Sequence, residues 1–353
     1  MKKAFSEAAA VRRGRTVPRR AIALAAAALL LTAAVLVDLL VFPLRFLIAP
    51  LPALAERGAG EMRVHFIDVG QGDSALIEFP DGRTMLVDGG DGSDAATAAV
   101  VSEMRAAGLR RLDYVLLTHA DADHAGGLAE IVSLFGAETA FMPPVEGAAE
   151  GTAFGDFYRA AADAGAEVRL SQMYEAILPA DETYFYYLLF LAPLSPQIGS
   201  SAYNAGDENE ASAVVWLEYE GRSLLLTGDA GEETEERLVR LAETLGDEAF
   251  SFPAQAAWGE VTLAPDLASL DFLKAGHHGS SSSTGEALLR MTSPGAVFFS
   301  AGAGNGYLHP SYRCIERVRE CVPDAEIYRT DEQGTLLLTI RPGGDYAVTY
   351  GGF

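Results

Sequence analysis

Residues 118–127 read Thr-His-Ala-Asp-Ala-Asp-His-Ala-Gly-Gly, and this decapeptide constrains the chain more than any other stretch. Four side chains of metal-ligand type, His119, Asp121, Asp123 and His124, fall within six positions. The apolar run at 112–117 predicts a buried strand just before them, and the apolar-periodic segment 128–135 predicts a helix just after. A strand that ends in such a loop and turns into a helix aims several side chains at one point. Imidazole and carboxylate together suit zinc, manganese or iron.

Strand and helix signals alternate along the rest of the chain. Strands are expected at 63–69, 75–79, 83–87, 137–142, 167–170, 183–192, 211–219, 223–227, 271–275, 296–300, 335–340 and 345–350. Helices are expected over 93–107, 152–164, 232–245, 283–291 and 311–321. That mixture predicts a layered α/β protein. The stretch 246–265, with Pro253, Trp258 and Pro265, breaks the compact spacing and is expected to be a surface insertion near the site. Cys314 and Cys321 lie seven apart on an expected helix, about 10 Å along its axis, too far apart for a disulfide. His65 alternates with Val64 and Phe66 in a strand and is read as structural.

Charge divides the chain. Of its 26 Lys and Arg and 49 Asp and Glu, nine and three lie in the first 60 residues, which leaves 17 and 46 beyond and a formal charge of −29 there. Residues 21–37 are apolar apart from Thr32, and apolar residues resume after Asp38 as far as Ile48, around Pro43 and Arg45. Roughly twenty apolar residues span a bilayer as a helix, and the basic cluster before them predicts a cytoplasmic N-terminus. The expected organisation is a basic cytoplasmic tail at 1–20, a transmembrane anchor at 21–49, a linker at 50–61 and an acidic extracytoplasmic domain at 62–353. The rival is a cleaved signal sequence ending near Ala53-Leu54-Ala55, which would leave a secreted protein.

The decapeptide resembles the His-x-His-x-Asp-His signature of the metallo-β-lactamase fold superfamily, with Asp121 in place of the second histidine. That variant is similar to the hydrolase domain of the ComEC competence-protein family. Five further stretches resemble that family's motifs in order: 66–74 (Phe-Ile-Asp-Val-Gly-Gln-Gly-Asp-Ser), 86–90 (Leu-Val-Asp-Gly-Gly), 226–229 (Leu-Thr-Gly-Asp), 273–280 (Leu-Lys-Ala-Gly-His-His-Gly-Ser) and 305–311 (Asn-Gly-Tyr-Leu-His-Pro-Ser). The resemblance implies a four-layer αββα sandwich over 62–353, with one or two divalent ions (zinc or manganese) at one edge of the sheets.

It also implies roles. His119 and Asp121 would hold a first metal. Asp123, His124 and one of His277 and His278 would hold a second, with His278, next to Gly279, favoured. Asp229 would bridge the two. The wider superfamily supplies a further histidine between the ligand loop and the bridging aspartate. None occurs here between His124 and His277, and Asn209 and Ser212 occupy the matching region. The first site is therefore poor in nitrogen, and either holds a metal weakly or suits an oxygen-preferring ion such as manganese. Asp123 would also orient the attacking water. Lys274, inside an apolar strand, would hold a phosphate or pair with a carboxylate, because an unpaired lysine there is costly to bury. His309 would donate a proton to the leaving group. Asp73, Asn209, Ser212 and Ser280 are expected to line the substrate pocket, and Asp88 is expected to form a turn.

This ligand set supports hydrolysis by a water whose pKa a metal lowers. The expected enzyme is a phosphodiesterase or nuclease. The alternatives are a hydrolase of a lactone, thioester or β-lactam, and a non-catalytic extracellular binding module. The −29 body disfavours broad DNA binding, which needs Lys and Arg against phosphate. A small nucleotide or the end of a single strand fits that charge better. With room for one or two crossings, the chain is not expected to form an uptake channel.

Overall fold

The computed structural model describes residues 19–40, 43–47, 49–144, 151–193 and 208–351. The chain divides into two compact units, 1–49 and 50–353. Most of the expected basic tail lies outside the described residues.

The first unit holds α1 (Arg19–Leu40) and α2 (Leu44–Leu47). Leu24, Leu29, Leu30 and Leu31 of α1 are exposed. The segment 21–49, expected as an anchor, thus holds two helices rather than one. Pro43 stands between the two helices, where its ring and missing N–H prevent continuation. Among the described residues, no helix is long and apolar enough to cross a membrane.

The second unit starts with β1 (Met62–Phe66), β2 (Ala75–Glu78), β3 (Thr84–Val87), β4 (Leu112–Leu116), β5 (Ala137–Met142) and β6 (Glu167–Leu170). β7 (Ala176–Ile177), β8 (Tyr186–Ala192), β9 (Val214–Tyr219) and β10 (Arg222–Leu226) begin a second sheet. A hairpin of β11 (Phe252–Ala256) and β12 (Gly259–Leu263) follows, then β13 (Phe272–Lys274), β14 (Ala296–Phe299) and β15 (Glu326–Arg329). β16 (Leu336–Ile340) and β17 (Tyr346–Tyr350) return to the first sheet. The orders are β17-β16-β1-β2-β3-β4-β5-β6 and β15-β14-β13-β10-β9-β8-β7.

Each sheet is half parallel. β3 to β6 run parallel in the first, and β10, β13, β14 and β15 run parallel in the second. The two sheets face one another across a core that takes Val64, Phe66 and Ile77 from one and Phe190, Val215 and Phe298 from the other. Phe66 stacks on Phe298 with ring centroids 4.5 Å apart. Alternate residues of the strands point outward, as the pleat requires, and helices cover those of the central strands, whereas the edge strands β6 and β17 stay largely exposed. α3 (Asp94–Ala106), α5 (Leu128–Phe135) and α6 (Ala153–Asp163) lie on the first sheet's side. α7 (Glu232–Leu245), α8 (Glu286–Thr292) and α9 (Tyr312–Cys321) cover the second through a continuous apolar cluster that includes Leu238, Leu289 and Val318. Two short helices, α4 (Ala122–Ala125) and α10 (Thr330–Gln333), complete the set.

His65 is structural, as expected. It points away from the inter-sheet core, fully buried, with Nε2 3.0 Å from Glu78 Oε1 and Nδ1 3.2 Å from Glu103 Oε2 of α3. Burial opposes its charge, and the two carboxylates outweigh that and raise its pKa. The 246–265 stretch is the β11–β12 hairpin. Ala254 and Leu263 join the apolar cluster outside the second sheet. Phe252 stacks on Tyr174, and Trp258 meets Phe185 edge-on. These contacts gather at the β7–β8 end of the sheet rather than at the ligand loop. Cys314 and Cys321 are both free thiols.

Candidate metal centre

The centre forms where the carboxyl ends of the parallel strands of both sheets meet, the place where open α/β sheets put their ligands. β4 leads into Thr118 and His119. β10 leads into Gly228 and Asp229. β13 leads into His277 and His278. Leu226 is paired with Lys274, and Lys274 with Phe298. The loops after β10, β13 and β14 therefore leave the sheet at one level.

Three imidazoles present the same face to the centre. His124 Nδ1 lies 2.8 Å from Asp88 Oδ2. The Thr118 backbone N–H and Oγ1 donate to the same carboxylate at 2.8 and 2.7 Å. An ionised carboxylate only accepts, so His124 carries its proton on Nδ1. Thr118 Oγ1 has given its hydrogen to Asp88 and accepts from His119 Nδ1 at 3.1 Å. His278 Nδ1 faces two acceptors, Asp73 Oδ1 and the Ser300 carbonyl, each at 3.2 Å. In all three rings the protein occupies Nδ1 and leaves the Nε2 lone pair free.

Those Nε2 atoms, together with Asp229 Oδ1, are buried and have no hydrogen-bond partner among the described residues. Asp229 stands between them. Its Oδ1 is 3.3 Å from His124 Nε2, without hydrogen-bond geometry, and its Oδ2 is 3.5 Å from His278 Nε2. Asp123 Oδ2 lies 3.4 Å from His278 Nε2. Four orphaned polar atoms in one dry spot would cost several kcal/mol in a site built for nothing. A divalent cation would satisfy those of His124, His278 and Asp229, which lie within 4.8 Å of one another, so the residues present fit a metal.

The electrostatics agree. Burial alone would raise the Asp229 carboxyl, yet His278 and His124 hold it well below the usual range. Burial opposes charge on His278, and Asp229 and Asp73 still push it up to about 10. This compensation places protons among the same groups that would otherwise share a cation.

The paired histidines differ. His278 is buried with Nδ1 hydrogen-bonded, whereas His277 is 28% exposed and its Nδ1 faces the Asn209 side-chain amide nitrogen at 3.3 Å. That contact puts the His277 proton on Nε2, 3.7 Å from Asp229 Oδ2. His277 thus suits a hydrogen bond to Asp229, and His278 suits a cation. Both residues have positive φ, 45° and 54°, a conformation that costs a non-glycine residue about 1 kcal/mol or more.

The other expected residues are placed as follows. Asp121 is the N-cap of α4 but makes no cap hydrogen bond, and its Oδ2 is 3.7 Å from His119 Nε2. Asp73 joins His124, Asp229 and His278 in a set whose ligand-type atoms lie within 4.8 Å of one another. Both Asp73 oxygens are already engaged, one by His278 and the other by the Lys274 ammonium. We therefore read Asp73 as the group that orients His278 rather than as a ligand or a pocket wall. Lys274 also reaches the Gly228 carbonyl at 3.4 Å and is buried, so it has no free face for a phosphate. Its ammonium and His278 outweigh burial and bring the Asp73 carboxyl down to about 2.

Ser212 is buried, and its Oγ accepts from the Asp229 backbone N–H at 3.1 Å, so it braces the Asp229 turn. Ser280 Oγ pairs with Ser282 Oγ at 3.0 Å, and its backbone N–H donates to the His277 carbonyl at 2.7 Å. His309 comes close: its ring centroid is 5.6 Å from that of His277 and 6.2 Å from that of His278.

Two features escaped the sequence reading. Asp88 has the positive φ of a turn residue, 58°, but its side chain also fixes the His124 tautomer. Gly72 has φ +109°, and a Cβ there would meet the Asp123 carbonyl oxygen at 2.1 Å. The Gly-Gln-Gly loop is thus pressed onto the ligand loop, where the Asp73 N–H donates to the Asp123 carbonyl at 3.2 Å and Gln71 Nε2 reaches Asp123 Oδ2 at 3.4 Å.

A fold of two half-parallel sheets, with this cluster at their shared edge, defines a metallo-hydrolase class. Residues 67–302 match the Metallo-beta-lactamase superfamily, and the chain belongs to it. It is 27% identical over 306 residues to ComE operon protein 3 of Bacillus subtilis (strain 168), covering 82% of this chain and 34% of that protein. It is 30% identical over 284 residues to Competence protein ComA of Neisseria gonorrhoeae, covering 80% of this chain and 33% of that one. Both are competence proteins of the ComEC type. The chain spans about a third of the length of these curated relatives. Igni18, a metallo hydrolase of Ignicoccus hospitalis, superposes with TM-score 0.44 at 13% identity, covering 82% of this chain and 98% of that one.

Proposed function

We propose that the chain is a metal-dependent phosphodiesterase or nuclease that acts on a small phosphodiester or on the end of a single strand. One observation carries the hydrolase part: the buried Nε2 atoms of His124 and His278 flank Asp229, and they, the Nε2 of His119 and Asp229 Oδ1 have no hydrogen-bond partner among the described residues. His124, His278, Asp123 and Asp229 would hold one divalent ion, and His119 and Asp121 would contribute to a second, with Asp229 between them. Such an ion supplies Lewis acidity and makes a water acidic enough to attack at neutral pH.

The chain's own residues do the rest. Asp88, Asp73 and Thr118 engage Nδ1 of the three rings and so aim each Nε2 toward the centre. Asp123, 30% exposed, faces the open side and orients the attacking water. His309, with its ring centroid 5.6 Å from that of His277, would be the group nearest at hand to protonate a leaving oxygen. The phosphodiester choice draws support from the likeness to competence proteins. Restriction to a small or terminal substrate draws support from the strongly acidic body, which repels a long polyphosphate.

We also read the N-terminal unit as a membrane attachment that leaves the hydrolase domain outside the cytoplasm. The exposed leucines of α1 and the basic residues before it support this. Retention of the chain in membranes after carbonate washing tests it, and full release would oppose it.

The activity test uses the purified chain with Mn²⁺ or Zn²⁺. Hydrolysis of bis(p-nitrophenyl) phosphate and short single-stranded oligonucleotides is expected, lost in Asp123→Ala. Turnover of nitrocefin or a lactone without phosphodiester hydrolysis would replace this reading with the carbonyl one.

A further inference from the structure

Among the described residues, the three most exposed large hydrophobic side chains of the second unit belong to one segment beside the centre. Tyr307 and Leu308 are 69% and 81% exposed, and Tyr312, which opens α9 at the end of the same loop, is 75% exposed. Single exposed apolar residues are ordinary, but a grouped set marks a contact surface.

The loop that carries them is fixed. Asn305 Oδ1 accepts the Tyr307 and His309 backbone N–H groups at 3.1 and 3.0 Å, and its Nδ2 donates to the Gly302 carbonyl at 2.9 Å. The Ser311 N–H donates to the carbonyl of Gly279, next to His278, at 2.8 Å. Leu308 has a φ of +60°, a left-handed conformation that persists in a leucine only where the surroundings impose it. Tyr307 is thus held open to solvent by a loop tied to the centre.

The rings beside it lead inward. Tyr307 faces His309 with centroids 5.9 Å apart and planes 26° apart, and His309 faces His278 at 6.2 Å and 28°. His309 Nδ1 is buried without a hydrogen-bond partner among the described residues. A ligand lying along this line meets an open aromatic face at its outer end, a ring with a free polar atom midway, and the cation-binding groups at its inner end.

Charge decides what that ligand can be. The formal charge of −29 beyond residue 60 repels a chain of phosphates, so the usual grip on nucleic acid, Lys and Arg against the backbone, is weak here. A nucleobase is flat and uncharged, and it stacks on an aromatic side chain whatever its identity. Only a sugar separates it from its phosphate, so a base on Tyr307 leaves that phosphate near His309 and the centre.

We propose that Tyr307 is a base-stacking platform, which makes the substrate a nucleotide-bearing phosphodiester rather than an alkyl or sugar one. The nucleobase beside the scissile phosphate lies on the exposed Tyr307 ring. This rests on the phosphodiesterase reading of the centre and adds the group that supplies affinity for the substrate.

The test is steady-state hydrolysis, by the full chain with Mn²⁺, of a short oligothymidylate and of its counterpart lacking every base. The base-bearing strand should have a KM at least about fivefold lower, the lower limit for one stacked base. Tyr307→Ala should raise that KM by a similar factor and leave kcat, metal content and the KM of the abasic strand unchanged. Tyr307→Trp should keep the preference. Added salt should leave the KM level or lower it, because it screens the repulsion. Equal KM values for the two strands, a preference that survives Tyr307→Ala, or a KM that climbs steeply with salt overturns the inference and leaves the phosphodiesterase reading standing. Cleavage of neither strand overturns both.

Discussion

Asp88 Oδ2 and His124 Nδ1 are 2.8 Å apart in a fully buried contact, and this pair decides which nitrogen of His124 faces the centre. Carboxylates behind ligating histidines raise ligand basicity and fix the ring. Asp88→Ala should lower metal affinity roughly 10- to 100-fold. Chelator competition measures it, and an unchanged dissociation constant would refute the role.

Lys274 and Asp73 form a buried ion pair that joins the second sheet to the Gly-Gln-Gly loop of the first. Removing one partner strands the other charge. Lys274→Met should cost about 3–5 kcal/mol, and pairing it with Asp73→Asn should recover part of that. Urea unfolding of the single and double variants measures the coupling. Additive losses would mean that the pair does not act as a unit.

Glu235 gives a pH dependence away from the centre. It is buried under α8, where Oε1 and Oε2 accept the Thr284 and Gly285 N–H groups at 2.6 Å. Burial outweighs those bonds and raises the carboxyl from 4.5 to about 7. The folded chain therefore holds this proton more tightly than the unfolded chain. The stabilisation is fully present below about pH 4.5 and is lost as pH rises through about 7, roughly 3 kcal/mol over that window. Glu235→Gln should flatten the stability profile between pH 4.5 and 7. Parallel profiles for the two proteins would contradict this.

Gly72→Ala should disturb catalysis through the backbone. Its φ of +109° strains any L side chain, and the added Cβ runs into the Asp123 carbonyl oxygen. A loss of more than about 1 kcal/mol in stability is expected, with a larger proportional loss of metal affinity as Asp123 moves. Gly82→Ala, with φ of +94° and nothing within 4 Å, is the control for strain alone.

The ligand loop was readable in the sequence because four donor residues in six positions have few other uses. Strand ends were readable where apolar runs stop at Gly or Asp, as at Leu226 and Lys274. Asp88 was not, because Asp before Gly-Gly is an ordinary turn former and the turn is present. β15 and the β11–β12 hairpin were missed because 326–329 is polar and Pro253 stands inside a strand. Such residues pair only where neighbouring elements supply the packing. The break at Pro43 was visible, yet composition outweighed it in the expectation of one long anchor.

The cation-binding groups come from opposite halves of the sandwich, His119 and His124 from one sheet and Asp229 and His278 from the other. Neither half alone can assemble them. Loading must therefore wait until the halves dock, and a captured ion would then rivet the finished interface, making retained metal a direct gauge of correct tertiary assembly.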